Sequence, residues 1–200
     1  MLAAAALDLR IETSTDSVLA REGLTWRIYR ESVERFGGDD VVVTAVHSEM
    51  PWDPRALAEV ARLTDALEAA EAVRRVDSIA SVAVIRGSPD GALELDPALD
   101  RDGPFDAAAA ARVRERLTGD RLARGLLVSD DGRTFSVTAI VEDVTAAHDA
   151  AVLAAIDAAA PRAPAWRSGG PVFRTLVSEL MRGELARFVP LTVATVALLL

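Results

Sequence analysis

The chain has no cysteine and no lysine, and only two histidines. Without cysteine, disulfides, thiolate catalysis and cysteine-based zinc or iron–sulfur sites are excluded, while the compartment stays open. Without lysine, all 22 basic residues are arginine; with the wealth of alanine, this marks the coding bias of a GC-rich bacterial genome and carries no information on fold. The 31 acidic residues outweigh them, for a net charge of −9. No clustered positive field is available for phosphates, so a nucleic-acid surface is excluded. The imidazoles, His47 and His148, lie about a hundred residues apart without a paired carboxylate spacing, and read as surface or strand-end residues rather than metal ligands.

What is present suits a folded domain. Half of the 200 residues are apolar, enough for one good-sized core, or a core with an appendage. Thr25–Phe36 carries Trp26, Ile28, Tyr29, Val33 and Phe36 at helical spacing, with Gly37-Gly38 as a stop signal. Val41–Ser48, β-branched on both faces, reads as a strand buried on both sides or central in a sheet, broken at Met50-Pro51. Asp53-Pro54 opens a helix to about Ala72, with Leu57, Val60, Ala61, Thr64 and Leu67 inward and Glu59, Arg62 and Glu68 outward. A second strand runs from near Val76 to Gly87, which makes a βαβ unit.

Ser88–Pro104, dense in Pro, Gly and Asp, reads as a loop and as the place for an insertion. Phe105–Ala123 reads as a charged, Ala-rich helix marked by Phe105, Val113, Leu117 and Leu122. LLVS-DDG-RTFSVTAIVE is a hairpin: Asp131-Gly132 makes the turn, and Phe135, Val137, Ala139 and Val141 alternate onto one face. Asp149–Ala160 is a helix with Val152, Leu153 and Ile156 inward, and a short strand near Trp166–Ser168 ends at Gly169-Gly170-Pro171. The order predicts an α+β, ferredoxin-like (split βαβ) sandwich with an inserted helix. From Phe173 to Phe188, Phe173, Leu176, Val177, Leu180, Met181, Leu185 and Phe188 form a helical stripe.

No catalytic constellation emerges. RFGGDDV (Arg35–Val41) is close to the R-x-G-G-D-E-F signature of diguanylate cyclases but departs from it at two positions: Asp40 stands for the catalytic Glu and Val41 for the Phe. No preceding strand brings a second metal-binding carboxylate. Ser14, Ser17, Ser168 and Ser178 lack a G-x-S-x-G context, and Gly169-Gly170-Pro171 lacks the lysine of a phosphate loop. Asp39-Asp40 and Asp130-Asp131 are chemically able to hold a cation, yet aspartate in tight turns is the commoner use. The expectation is a protein that is not an enzyme, with no catalytic, cofactor-binding or metal-binding residues and no cofactor.

The ends are apolar. From Phe188 the chain reads FVPLTVATVALLL, with no charge after Arg187. A span needs about 20 apolar residues, so the run is short of one. Because nothing polar closes it, the expectation is the start of a truncated transmembrane helix; a buried core element is the alternative. MLAAAAL at the other end lacks the basic region of an export signal.

Taken in order, LDLRIETSTDSVLAREG (Leu7–Gly23), FGGDDVVVTAV, a helix opened by Asp-Pro, the V-x-x-V-x-S-I strand (Val73–Ile79), the LLVSDDGRTFSVTAIVE hairpin, S-G-G-P-V (Ser168–Val172) and Pro190-Leu191 give the chain a familiar outline. It resembles the first extracytoplasmic loop of the resistance-nodulation-division (RND) superfamily, on its MMPL-type exporter branch. The resemblance implies a porter-type domain of a proton-driven exporter of lipids or other hydrophobic molecules. Such a protein sits in the bacterial inner membrane with this domain on the periplasmic or extracytoplasmic side. The implied partners are the membrane, hydrophobic or lipid-like cargo, the rest of the transporter and, in a homo-oligomer, other subunits. Residues 1–7 then read as the end of a first transmembrane helix and 8–172 as the porter-like domain. Residues 173–187 become an amphipathic lead-in, and 188–200 the start of a second transmembrane helix, as in a fragment of a full transporter. The proton-relay carboxylates of the family belong to later membrane helices, so no functional residue carries over. The alternative reading is a membrane-tethered sensory or interaction domain without transport.

Overall fold

The computed structural model describes residues 23–36, 40–87, 91–120, 123–141, 145–159 and 162–199. They divide into two compact units: one spans Gly38–Val172, and the other joins the described residues of Met1–Gly37 and Phe173–Leu200.

The first unit is an α+β layer built on β1 (Val41–His47), β2 (Val73–Asp77), β5 (Thr134–Val141) and β6 (Ala165–Gly169). The sheet order is β2-β5-β1-β6, and every pairing is antiparallel. Strands β1 and β2 therefore run the same way with β5 between them, and β5 and β6 run the same way with β1 between them. Helix α2 (Pro54–Glu68) makes the first of these crossovers and α5 (Ala146–Ala159) the second. The two helices pack on each other, α2 also on β1, β2 and β5, and α5 on β5.

Alternation explains why one face of the sheet is closed. Val42, Val46, Phe135, Val137 and Ala139 are 0 % exposed, and with Leu57, Val60, Leu63 and Leu67 of α2 and Val152 and Ile156 of α5 they form the core. Asp53 caps α2, accepting a bond from the Arg55 amide at 3.0 Å, with Pro54 in the first turn. On the other face Val41, Val43, Ala45 and His47, and Thr134, Ser136, Thr138 and Ile140, are half-buried. Strand β1 is thus central, as expected, but fully buried on only one side.

Several sequence expectations need correction. The single strand over Val76–Gly87 is two, β2 and β3 (Ala83–Gly87), separated by a hydroxyl-built turn. Ser81 Oγ donates to the Val76 carbonyl at 2.7 Å, and Ser78 Oγ accepts from the Ala80 amide at 3.0 Å. The expected loop contains β4 (Leu93–Pro97), which pairs with β3 as a separate two-stranded ribbon; Ser88–Asp90 lie outside the described residues. Helix α2 stops at Glu68 rather than Ala72, and Glu59 is buried instead of outward, its carboxylate held by Arg62. Helix α3 runs over Ala107–Thr118, capped by Asp106, and a kinked turn, α4, covers Ala123–Leu126; Leu122 lies outside the described residues. The first arm of the hairpin is no strand: Val128 makes isolated bridges to Arg124 and to Phe135.

Arg101 ties the ribbon to the layer. It donates through Nε to the Ala80 carbonyl at 2.8 Å, through Nη1 to Asp65 at 3.0 Å, and to both carboxylate oxygens of Glu68. The bonds to Glu68 first, and then to Asp65, raise its guanidinium above its usual value.

The second unit contains α1 (Leu24–Phe36), where the Trp26 and Tyr29 rings lie 5.7 Å apart, and most of α6 (Gly170–Leu199). The expected C-cap glycines, Gly37-Gly38, lie outside the described residues. The stripe on α6 is largely exposed at Phe173, Leu176, Leu180, Met181 and Phe188. Past Phe188 the helix carries apolar residues around Pro190, and the hydroxyls of Thr192 and Thr195 donate to the carbonyls of Phe188 and Leu191 at 2.9 and 2.8 Å. Among the described residues no helix is long and apolar enough to cross a membrane.

Gly169 closes the junction between β6 and α6 at φ +136°, where a Cβ would overlap the Val41 carbonyl oxygen. Gly169→Ala is therefore expected to lower stability by more than about 2 kcal/mol, read as a shift of the urea midpoint at unchanged secondary structure.

Candidate functional site

The residues singled out for chemistry stay apart. Of the cyclase-like stretch, Gly37–Asp39 lie outside the described residues; Arg35 pairs with Glu31 on α1 at 3.8 Å. The Asp40 carbonyl accepts the Val141 amide at 2.9 Å, closing the β1–β5 ladder. His47 stands at the end of β1 with Nδ1 3.0 Å from Thr134 Oγ1 and its ring 5.7 Å from that of Trp166. His148 is on α5, across the sheet, where its amide donates to Thr145 Oγ1 at 3.1 Å. Ser14 and Ser17 lie outside the described residues, Ser168 is on β6 and Ser178 on α6. Gly169 ends β6, and Gly170-Pro171 open α6. Among the described residues, no three of the acidic or histidine side chains gather where they could share a metal ion.

Asp130-Asp131 lie in a turn fixed by side-chain bonds. Asp130 pairs with Arg124 at 3.3 Å. Asp131 accepts the Ser129 hydroxyl at 2.6 Å and the Arg133 amide at 3.1 Å, and these bonds, the hydroxyl first, hold its carboxyl below the ordinary range. The turn they fix places Gly132 at φ +68°, with its carbonyl accepting the Trp52 amide at 2.7 Å. Trp52 is the only non-glycine described residue at positive φ, +55°. Its indole lies over Gly132, where a Cβ would fall within 2.7 Å of indole Cε2, and meets the Phe135 ring edge-on at a centroid distance of 5.8 Å.

A groove opens beside this tryptophan. Its larger part, about 620 Å³, is lined by Pro51, Trp52 and Pro54 on one side and by Ala107, Ala110, Ala111, Arg114, Glu115 and Thr118 of α3 on the other. A smaller part, about 380 Å³, shares Pro51, Trp52, Arg114 and Thr118 and ends among Arg124, Ser129, Asp130 and Asp131. Ala107, Ala111, Arg114 and Thr118 fall at i, i+4, i+7 and i+11, so the groove follows one side of α3 for roughly 16 Å. It is apolar toward the start of the helix and polar toward its end. The groove is broadly open to solvent, and among its lining side chains the Ser129 hydroxyl and the Asp131 carboxylate are bonded to each other.

Compared with family models and with curated proteins, the chain matches none. The site therefore stands on its geometry. The sequence reading flagged Asp130 and Asp131 as turn residues and missed Trp52 and Arg114. The available signal was the stretch Pro51-Trp52-Asp53-Pro54, a large aromatic confined between two prolines next to a buried strand.

Gly132→Ala is expected to displace the Trp52 indole and to cost more than about 1 kcal/mol, seen in the urea midpoint and a shift of tryptophan emission. Because the Asp131 pKa is lowered on folding, its contribution is complete above the ordinary carboxylate value of 3.8 and is lost as pH falls through the lowered value. The stability difference between the parent chain and Asp131→Asn should hold at neutral pH and shrink in acid titration below about pH 4.

Proposed function

We propose that this chain is the extracytoplasmic, porter-like domain of an RND-superfamily, MMPL-type exporter of lipids or other hydrophobic molecules, and that its layer is a ferredoxin-like sandwich. The observation that carries the reading is the passage from a sheet of order β2-β5-β1-β6, with crossovers α2 and α5, directly from edge strand β6 into α6. Interlocked split β-α-β units are the pattern expected of such a domain. The end of α6 supports the membrane side of the proposal: from Phe188 it carries no charge, and both threonine hydroxyls are satisfied within the helix, as a hydrocarbon environment requires.

A second reading, a membrane-tethered interaction domain without transport, is favoured by the ribbon. The β3–β4 register puts Ile85 opposite Leu95 and Gly87 opposite Leu93, and Ile85, Leu93 and Leu95 are 67 %, 70 % and 59 % exposed. Three large aliphatic side chains on one exposed face suit contact with another protein.

Two measurements test the proposal. The encoding frame, followed past the codon for Leu200, is expected to run on through several apolar spans; a frame with a single span and then a soluble domain selects the tethered reading, and a stop there overturns the exporter. Expressed by itself, the 200-residue chain is expected to bind lipid vesicles through the apolar end of α6, and Val193→Glu with Val196→Glu should weaken that binding; no change would overturn contact of α6 with the membrane.

A further inference from the structure

We propose that the β3–β4 ribbon is a strand-addition site: the outer edge of β4 takes an extended segment of another protein in which apolar and basic residues alternate. The inference rests on the reading of the ribbon as a protein contact and names its partner; it does not depend on what the end of α6 does.

The ribbon is an incomplete sheet. β3 and β4 pair only with each other among the described strands. A two-stranded hairpin is marginally stable in water and calls for a third strand or for packing on an apolar face. At its base the ribbon has such packing: Val84 is buried in the core, and Arg116 donates to the Pro97 carbonyl at 3.0 Å. Its outer face has none. Ala83, Ile85, Leu93 and Leu95 are all exposed there, with Ile85 directly opposite Leu95. Edge strands avoid further pairing through bulges, internal prolines or charge. β2, an edge of the layer, has a register shift between Val73 and Arg75. β4 pairs without a shift and has its proline only in the last position, so its guard is charge of one sign.

That charge selects the partner. Between Gly91 and Gly103 the chain has Glu94, Asp96, Asp100 and Asp102 against Arg101 alone. Arg101 is held by Asp65, Glu68 and the Ala80 carbonyl. Asp96, Asp100 and Asp102 are exposed, border one open depression and have no ion-pair partner among the described residues. Opposite charges facing each other on neighbouring strands stabilise a pair, and like charges destabilise it. The sequence Leu93-Glu94-Leu95-Asp96 is therefore matched by a strand that alternates apolar with basic residues. A second copy of β4 would set acid against acid.

The test is fluorescence polarisation of a labelled hexapeptide alternating valine and arginine, with the full chain in phosphatidylcholine nanodiscs. A peptide of the same residues in two blocks carries the same charge and serves as control. The alternating peptide is expected to half-saturate at about tenfold lower concentration than the block peptide. N-methylation of every second amide should abolish that advantage in one phase and preserve it in the other, since only alternate amides of an added strand face β4. Leu93→Thr with Leu95→Thr should remove the advantage and Asp96→Asn should reduce it, whereas Ile28→Thr, at an exposed position on α1, should leave it unchanged. Equal binding of the two peptides, or an advantage indifferent to the leucine pair, would overturn strand addition. Dimerisation of the chain in detergent that the leucine pair abolishes would overturn the basic partner and keep the ribbon as a protein contact. Flotation with phosphatidylcholine vesicles that the pair abolishes would give the face to lipid and overturn both.

Discussion

The insertion of β5 between β1 and β2 is the constraint on which the layer depends. β5 supplies hydrogen-bond partners to both neighbours, and its alternation sends Phe135, Val137, Ala139 and Val141 to the same side as Val42 and Val46. A slip of one residue would turn all four away from α2 and α5. The register is set at the start of the strand. The Ser129 amide donates to the Thr134 carbonyl, the Thr134 amide to Ser129 Oγ, and the Ser48 amide to the Arg133 carbonyl, so the turn and β1 fix β5 before its first buried residue.

That arrangement frees the segment between β2 and β5. The two strands must meet, but the length of chain joining them is only weakly constrained, because the entropy of closing a loop grows slowly with its size. The segment uses this freedom to carry the β3–β4 ribbon and α3, with Arg101 and Arg116 holding them to carbonyls and carboxylates at their base. The groove lies where this insertion meets the layer: one wall is the turn after β1, the other a helix that the sheet does not require.

The layer was readable in the sequence because its signals are short-range. Strict alternation marked β5, Asp53-Pro54 marked the start of α2, and Asp131-Gly132 marked the turn, and each acts within a few residues. The errors fell where a distant partner decides. Strand β4, LELDP, has a loop's composition and is extended because β3 lies beside it. The break between β2 and β3 contains neither glycine nor proline; serine hydroxyls make it, and in sequence they look the same as serines in a strand. Glu59 sits on the polar side by spacing, yet it is buried beside Arg62. Of the candidate site, the Asp131-Gly132 turn was legible, whereas its juxtaposition with Trp52 and α3 joins residues remote in the chain.

The left-handed conformation of Trp52 has a local cause as well as a tertiary one. Between the end of β1 and the cap of α2 the chain must reverse within Ser48–Asp53. Met50 and Asp53 each precede a proline and are biased away from the helical region; Asp53 is extended, at φ −60° and ψ 121°. Pro51 has a fixed φ. Trp52 is the residue left to absorb the reversal, at a strain of order 1–3 kcal/mol for a bulky side chain. The Gly132 carbonyl and the Phe135 ring offset that strain on the core side of the indole. On its other side lie the groove and α3, so the prolines that position α2 also determine where the tryptophan stands.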